Sequence, residues 1–125
     1  NRDWWFLPGG RVEMMEDSHM AITRELAEEY GWTVKDRKLK LVVESFFRLD
    51  GRDFHEIGMY YRIEAEEDIQ PVDGEFVGKE ENLVSKWIGI GELESHKIVP
   101  DFLKDADMMR ELLFADTVKQ LVYRV

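Results

Sequence analysis

Cysteine is absent from all 125 residues. That rules out disulfides, thiol nucleophiles and thiolate-held metal centres, and it agrees with the reducing cytoplasmic setting we expect for the chain. Histidine is nearly as scarce. His19, His55 and His96 fall at a helix start, in a strand and in a loop, a scatter that argues against an imidazole metal site, so none is assigned chemistry. Long apolar runs are missing too: the longest early one, Trp4 to Leu7, is far too short for a membrane span or a secretory signal, and no membrane partner is expected. Basic side chains complete the shortages. Seventeen Lys and Arg stand against 27 Asp and Glu, a net charge of −10, which argues against long nucleic acid as a partner. A chain so charged can handle phosphate only through something cationic.

What remains is ordinary for a folded protein, with 44% hydrophobic and 12% aromatic residues and no repeat, low-complexity tract or linker. A single domain over residues 1–125 is the expectation. Asp17 or Ser18 can cap a helix running to about Tyr30, with Gly31 as its left-handed terminator and Ile22, Leu26 and Tyr30 as its apolar stripe. From Leu39 to Leu49 the residues Leu39, Leu41, Val43, Phe47 and Leu49 alternate with a more polar set. Asp50-Gly51 reads as a turn, and Ile57, Met59, Tyr61 and Ile63 alternate again, which predicts an antiparallel hairpin. The acidic segment Glu64 to Glu81 reads as a long loop before a short strand around Trp87 to Ile90. Beyond Pro100, the spacing of Phe102, Leu103, Met109, Leu112 and Leu113 predicts one or two closing helices. Together these elements give an α/β chain with a sandwich architecture.

The stretch from Gly10 to Trp32 is dense in carboxylates. On the predicted helix Glu25, Glu28 and Glu29 stand at i, i+3 and i+4, so their like charges share neighbouring positions and repel. A solvated acidic face is one reading of such a triplet; a hard divalent cation with oxygen ligands is the other.

From Gly10, five residues lead to Glu16 and seven more to Arg24-Glu25-Leu26; then come one residue, Glu28-Glu29, one residue, Gly31 and Trp32. This resembles the signature of the Nudix hydrolase family, with every specified position filled, and Trp5-Phe6-Leu7-Pro8-Gly9-Gly10 looks like the family's usual lead-in. The resemblance implies an α/β/α sandwich with a mixed β-sheet. It also implies a loop-helix-loop motif that binds Mg2+, or sometimes Mn2+, and hydrolyses a nucleoside diphosphate linked to another group. Carried over residue by residue, Glu28 and Glu29 would be metal ligands, Glu25 a ligand or general base, and Arg24 the partner that orients Glu25. Gly9 would offer its carbonyl oxygen to a metal, and Glu16 would be a structural or secondary metal-site residue. Family members often draw a further glutamate from a late loop, and Glu80 or Glu81 in Gly78-Lys79-Glu80-Glu81 looks like that place.

Other residues are weighed the same way. Arg11 could meet a phosphate or be a surface arginine; Trp4 and Trp5 could stack on a base or be buried ahead of the glycines; Tyr60 and Tyr61 divide between sheet faces. Phe47 and Arg48 stand where the ADP-ribose group would show proline and the diadenosine polyphosphate group tyrosine, so those substrates lose weight. A small nucleotide is the expected substrate, either a nucleoside triphosphate or a nucleotide sugar, with an RNA 5′ end disfavoured by the acidic surface. A Nudix-fold nucleotide sensor without hydrolysis is the alternative, and an acidic metal-buffer protein a third class. Family members also carry further strands ahead of the Pro-Gly-Gly segment, where only seven residues precede Pro8 here. A natural start upstream of Asn1 is therefore expected, together with a sheet short of its first strands, which a second copy in a homodimer could cover.

Overall fold

Asp50 and Gly51 adopt φ of 52° and 75°, the left-handed pair that a two-residue hairpin turn needs to match the twist of its strands. They join β1 (Val34–Leu49) to β2 (Arg52–Ala65), which pair antiparallel from Leu49 opposite Arg52 back to Val34 opposite Ala65. β5 (Lys119–Arg124) lies parallel to β1 on its other side, making a mixed three-stranded sheet in the order β2-β1-β5. A computed structural model describes residues 4–125, with α1 (Ser18–Tyr30) before β1, a small antiparallel pair β3 (Glu75–Val77) and β4 (Val84–Lys86), and α2 (Ala106–Phe114) before β5. Two 3₁₀ turns, Ile90–Ser95 and Asp101–Lys104, lead into α2.

The adjacent tyrosines of β2 define the layers. Tyr60 packs with Leu41, Val43 and Leu112, and with Leu93, Ile98 and Leu103, in one apolar core beneath α2 and the 3₁₀ turns. Tyr61 points the other way, its hydroxyl 2.6 Å from Ser18 Oγ on α1 and the edge of the His19 ring against it. Helices therefore flank both faces of a mixed sheet, the α/β/α arrangement expected. Leu41 and Val43, both 1% exposed, sit at its centre because β1 is the middle strand. On the α1 side the helix covers only part of the sheet, and Ile57, Met59 and Val122 stay largely exposed.

Several expectations need correction. Leu39 and Leu41 do not share a face, because the register shifts between them: Leu39 opposes Tyr61 and Leu41 opposes Tyr60. The extra residue of this bulge, Lys40, is buried on the α2 side, where its Nζ donates to the Ala115 carbonyl, while Arg62 Nη1 donates to that of Leu113 at 2.7 Å. Two cations thus satisfy the orphan carbonyls at the end of α2. The acidic loop is interrupted by β3, and the late strand covers Val84–Lys86 rather than Trp87 to Ile90. β5 was not expected at all. The apolar stripe of α1 also differs: Ala21, Leu26 and Glu29 are its buried residues, while Ile22 and Tyr30 are half-buried. Among the described residues no helix is long and apolar enough to cross a membrane.

Candidate functional site

The helix that carries the carboxylates is fixed at both ends by its sequence. Asp17 accepts from the Met20 amide at 2.8 Å; with Gly31 at φ 75°, the Gly31 N–H turns back to the Ala27 carbonyl and the Trp32 N–H to that of Leu26. Arg24 then gathers three acids. Its Nε and Nη2 hold Glu16 by a fork of 2.7 and 3.0 Å, and its Nη1 reaches Glu25 at 3.0 Å and Glu28 at 3.2 Å. Nη2 also donates to the Arg11 carbonyl at 3.3 Å, tying down the loop behind the paired glycines. Bidentate, charge-assisted contacts of this kind are strong and directional. The Arg24 hydrogen bond, with a second from the Glu13 amide, holds the Glu16 carboxyl below its usual range, and Glu16 and Glu25 push Arg24 up in turn. Both Glu16 oxygens are thereby engaged.

Glu29 lies differently. It is 6% exposed, its carboxylate lies beside the Gly9 backbone, and its Oε2 is buried with no hydrogen-bond partner. Burial above all, and then the charges of Glu25, Glu80 and Glu28, push its pKa up to about 7 against the single opposing Gly9 contact. Glu25 sits so close beneath Gly10 that any side chain there would strike its carboxylate. Gly10 is therefore required by packing, whereas Gly9 has open space around it and is required by its φ of 141°.

The late loop comes to the same place. The Lys79 amide donates to the Glu29 carbonyl at 2.8 Å, and a Cβ at Gly78 would stand 2.5 Å from that same oxygen. Glu80, the next residue, is near enough to act on Glu29, whereas no contact links Glu81 to the acids among the described residues. Glu25, Glu28, Glu29, Gly9 and Glu80 thus converge, with Arg24 and Glu16 behind them. Among the described residues no three acids close into a ready ion cage, since Glu25 and Glu28 turn to Arg24 and Glu29 to Gly9.

Beside Glu29 opens a cavity of about 510 Å³, walled by Tyr30, Trp32, Phe76 and Trp87 with Trp4 and Trp5. Tyr30 stacks on Trp32 at 4.4 Å between ring centres, and Trp32 and Phe76 flank Trp87 at 6.0 and 6.4 Å. Trp5 is half-buried and hydrogen-bonds along Lys97 to Val99, while Trp4 remains 50% exposed with Lys97 over its ring. The expectation of burial therefore holds for one tryptophan only. Arg11 is exposed, as are His19 and His55; His96 is half-buried and meets Lys86 Nζ at 2.9 Å. Sequence reasoning missed Trp32 and Trp87 as cavity walls, and Ser85, whose hydroxyl meets that of Tyr30 at 2.6 Å. Tyr30 had a signal in its place on the helix, but read there only as core.

Comparison with known proteins bears on the fold and the family. The NUDIX domain family model matches residues 1–112. The crystal structure of the mutator MutT protein from Bacillus halodurans superposes with a TM-score of 0.60, covering 98% of this chain and 75% of that one. At 21% sequence identity that likeness is one of fold. No curated protein matches the chain. With its sandwich fold, its Arg24-centred carboxylate helix and a family match over most of its length, the chain belongs to the Nudix family.

Proposed function

We propose that the protein is a Mg2+-dependent hydrolase, with Mn2+ able to substitute, that cleaves the diphosphate bond of a nucleoside diphosphate joined to another group. The observation that carries this reading is Glu29, a carboxylate buried among carboxylates with one oxygen left without a partner. Such a group is costly unless a cation meets it. The charged groups around it, Glu25, Glu80 and Glu28, are hard oxygen donors like Glu29 itself and so fit magnesium, and the Gly9 carbonyl would add one more oxygen. Bound there, the ion would offset phosphate charge and lower the pKa of an attacking water.

The chain's own residues supply the rest. Arg24 orients Glu25 and Glu28, and Glu16 fixes Arg24. Glu25, or Glu80 or Glu81 from the late loop, takes the proton of the attacking water. The aromatic cavity beside Glu29 receives the organic part of the substrate, since flat rings stack on such walls, and this supports a nucleoside triphosphate or a nucleotide sugar. The test is a hydrolysis screen of nucleoside triphosphates and nucleotide sugars with magnesium, identifying the bond broken from the products. Turnover of at least one class with release at the diphosphate supports the reading. Tight nucleotide binding without turnover would replace it with the sensor reading, and neither binding nor turnover would overturn both.

A further inference from the structure

The hydroxyls of Tyr30 and Ser85 stand 2.6 Å apart across 55 residues of sequence. Tyr30 is the last residue of α1, one place beyond Glu29; Ser85 is the middle residue of β4. Between β3 and β4 runs the loop that carries Lys79 and Glu80. The loop approaches α1 at two further points. The Lys79 amide donates to the Glu29 carbonyl, and the Lys79 side chain passes so close to Gly31 that a Cβ there would lie 2.9 Å from its Cδ. A Cβ at Gly78 would come within 2.7 Å of the Tyr30 ring, so the fit of loop on helix allows no side chain at that position. The Tyr30 ring is itself held, stacked on Trp32 and tilted against Phe76 of β3.

We propose that Tyr30 and Ser85 form a tether that sets the Glu80 loop against the carboxylate helix, which makes both of them positioning residues for the reaction. The inference rests on the hydrolase reading for its kinetic consequence, though the tether itself does not. Besides this pair the Glu80 loop is held to α1 by the Lys79 amide and the close packing at Gly78, and surface loops open at low cost when such ties are lost. A half-buried hydroxyl pair is directional, so it fixes the distance between helix and hairpin as apolar contact alone would not.

Two measurements test it, one free of substrate and metal. In the parent protein the Lys79 amide should be protected from hydrogen exchange by its bond to Glu29. Tyr30→Phe, which keeps the ring, and Ser85→Ala should each speed that exchange by about tenfold, the scale of one net hydrogen bond. Ser85→Thr, which keeps a hydroxyl, should preserve protection. Amides of Leu41 and Val43 should exchange as before; equal acceleration there, or none at Lys79, would overturn the tether. In the second measurement, at saturating magnesium and with a nucleotide that the parent hydrolyses, Tyr30→Phe should lower kcat by about threefold to tenfold with KM little changed. Adding Glu80→Gln to Tyr30→Phe should cost no more than Glu80→Gln alone, because the tether acts through Glu80. Losses that multiply in full would overturn the positioning role. If the parent hydrolyses no nucleotide, the function proposed above fails while the exchange measurement still decides the tether.

Discussion

Arg24 grips Glu16 through two parallel hydrogen bonds, 2.7 Å from Nε to Oε2 and 3.0 Å from Nη2 to Oε1. The fork fixes the plane of the guanidinium and so aims Nη1 at Glu25 and Glu28. A lysine keeps the charge but cannot form the fork. Arg24→Lys should therefore lower turnover by about tenfold or more, on the scale of a lost charge-assisted contact, while the fold stays intact by circular dichroism. Wild-type turnover in that variant would show that charge alone suffices.

Metal should stabilise the folded protein by mass action. Magnesium at about a hundred times its Kd adds about 2.7 kcal/mol to a protein that binds it only when folded. Glu28→Gln combined with Glu29→Gln should abolish the rise in Tm without unfolding the metal-free protein. An undiminished rise would place the ion elsewhere.

The metal-free protein should show a pH dependence of its own. Glu29 has a folded pKa of about 7 against 4.5 for the free side chain. A group raised on folding contributes stability that is complete below the unfolded value and is lost as pH rises through the folded one. In EDTA, Tm should fall between these two values, and Glu29→Gln should flatten the fall and melt higher than the parent above pH 7. Parallel curves for parent and variant would contradict this account.

Three glutamates compete for the water's proton. Glu25→Gln should lower turnover by roughly a hundredfold or more if Glu25 is the base, the scale of general-base losses. If Glu80→Gln gives the larger loss at saturating magnesium, the base is on the late loop and Glu25 is mainly a ligand. Glu81→Gln should have the smallest effect of the three, since Glu80 is the loop residue whose charge reaches Glu29. Near-wild-type rates in all three would refute the mechanism.

Lys40 offers a prediction about stability. Its ammonium group satisfies the Ala115 carbonyl from within the core. Lys40→Met fills the same space and leaves that oxygen without its partner, so unfolding in urea should show a loss of about 1–3 kcal/mol. No loss would mean that water replaces the ammonium group.

The parts of this fold that local chemistry dictates were legible in the sequence. Asp17 and Gly31 bound α1, and Asp50-Gly51 closes the hairpin, because capping and turn geometry depend on neighbours only. β5 escaped because its partners on β1 lie 78 residues upstream, Leu41 opposite Lys119, although Leu121 and Tyr123 do alternate inward. β3 is three residues long and sits in an acidic stretch, too short for any period to register. At the site, the spacing of Glu25, Glu28 and Glu29 was readable from the helix. What spacing could not give was that Glu29 alone is buried, that the main partner of Arg24 is Glu16, or that the loop docks through Lys79. Those depend on where distant segments meet.

The single extra residue at Lys40 has a consequence for how the chain tolerates insertion and deletion. Upstream of it Arg37 and Leu39 look toward α1; downstream Leu41 and Val43 look toward α2. Were this stretch to pair evenly with Lys40 in place, inside would exchange for outside along the whole start of β1, bringing an arginine toward the apolar core. Removing Lys40 instead leaves Leu39 and Leu41 opposite Tyr61 and Tyr60, with every side chain on its present face. A deletion between residues 66 and 74, where β2 has ended and β3 has not begun, moves no side chain across the sheet. One position in a strand thus keeps the reading frame of the fold, much as a codon boundary keeps that of a message.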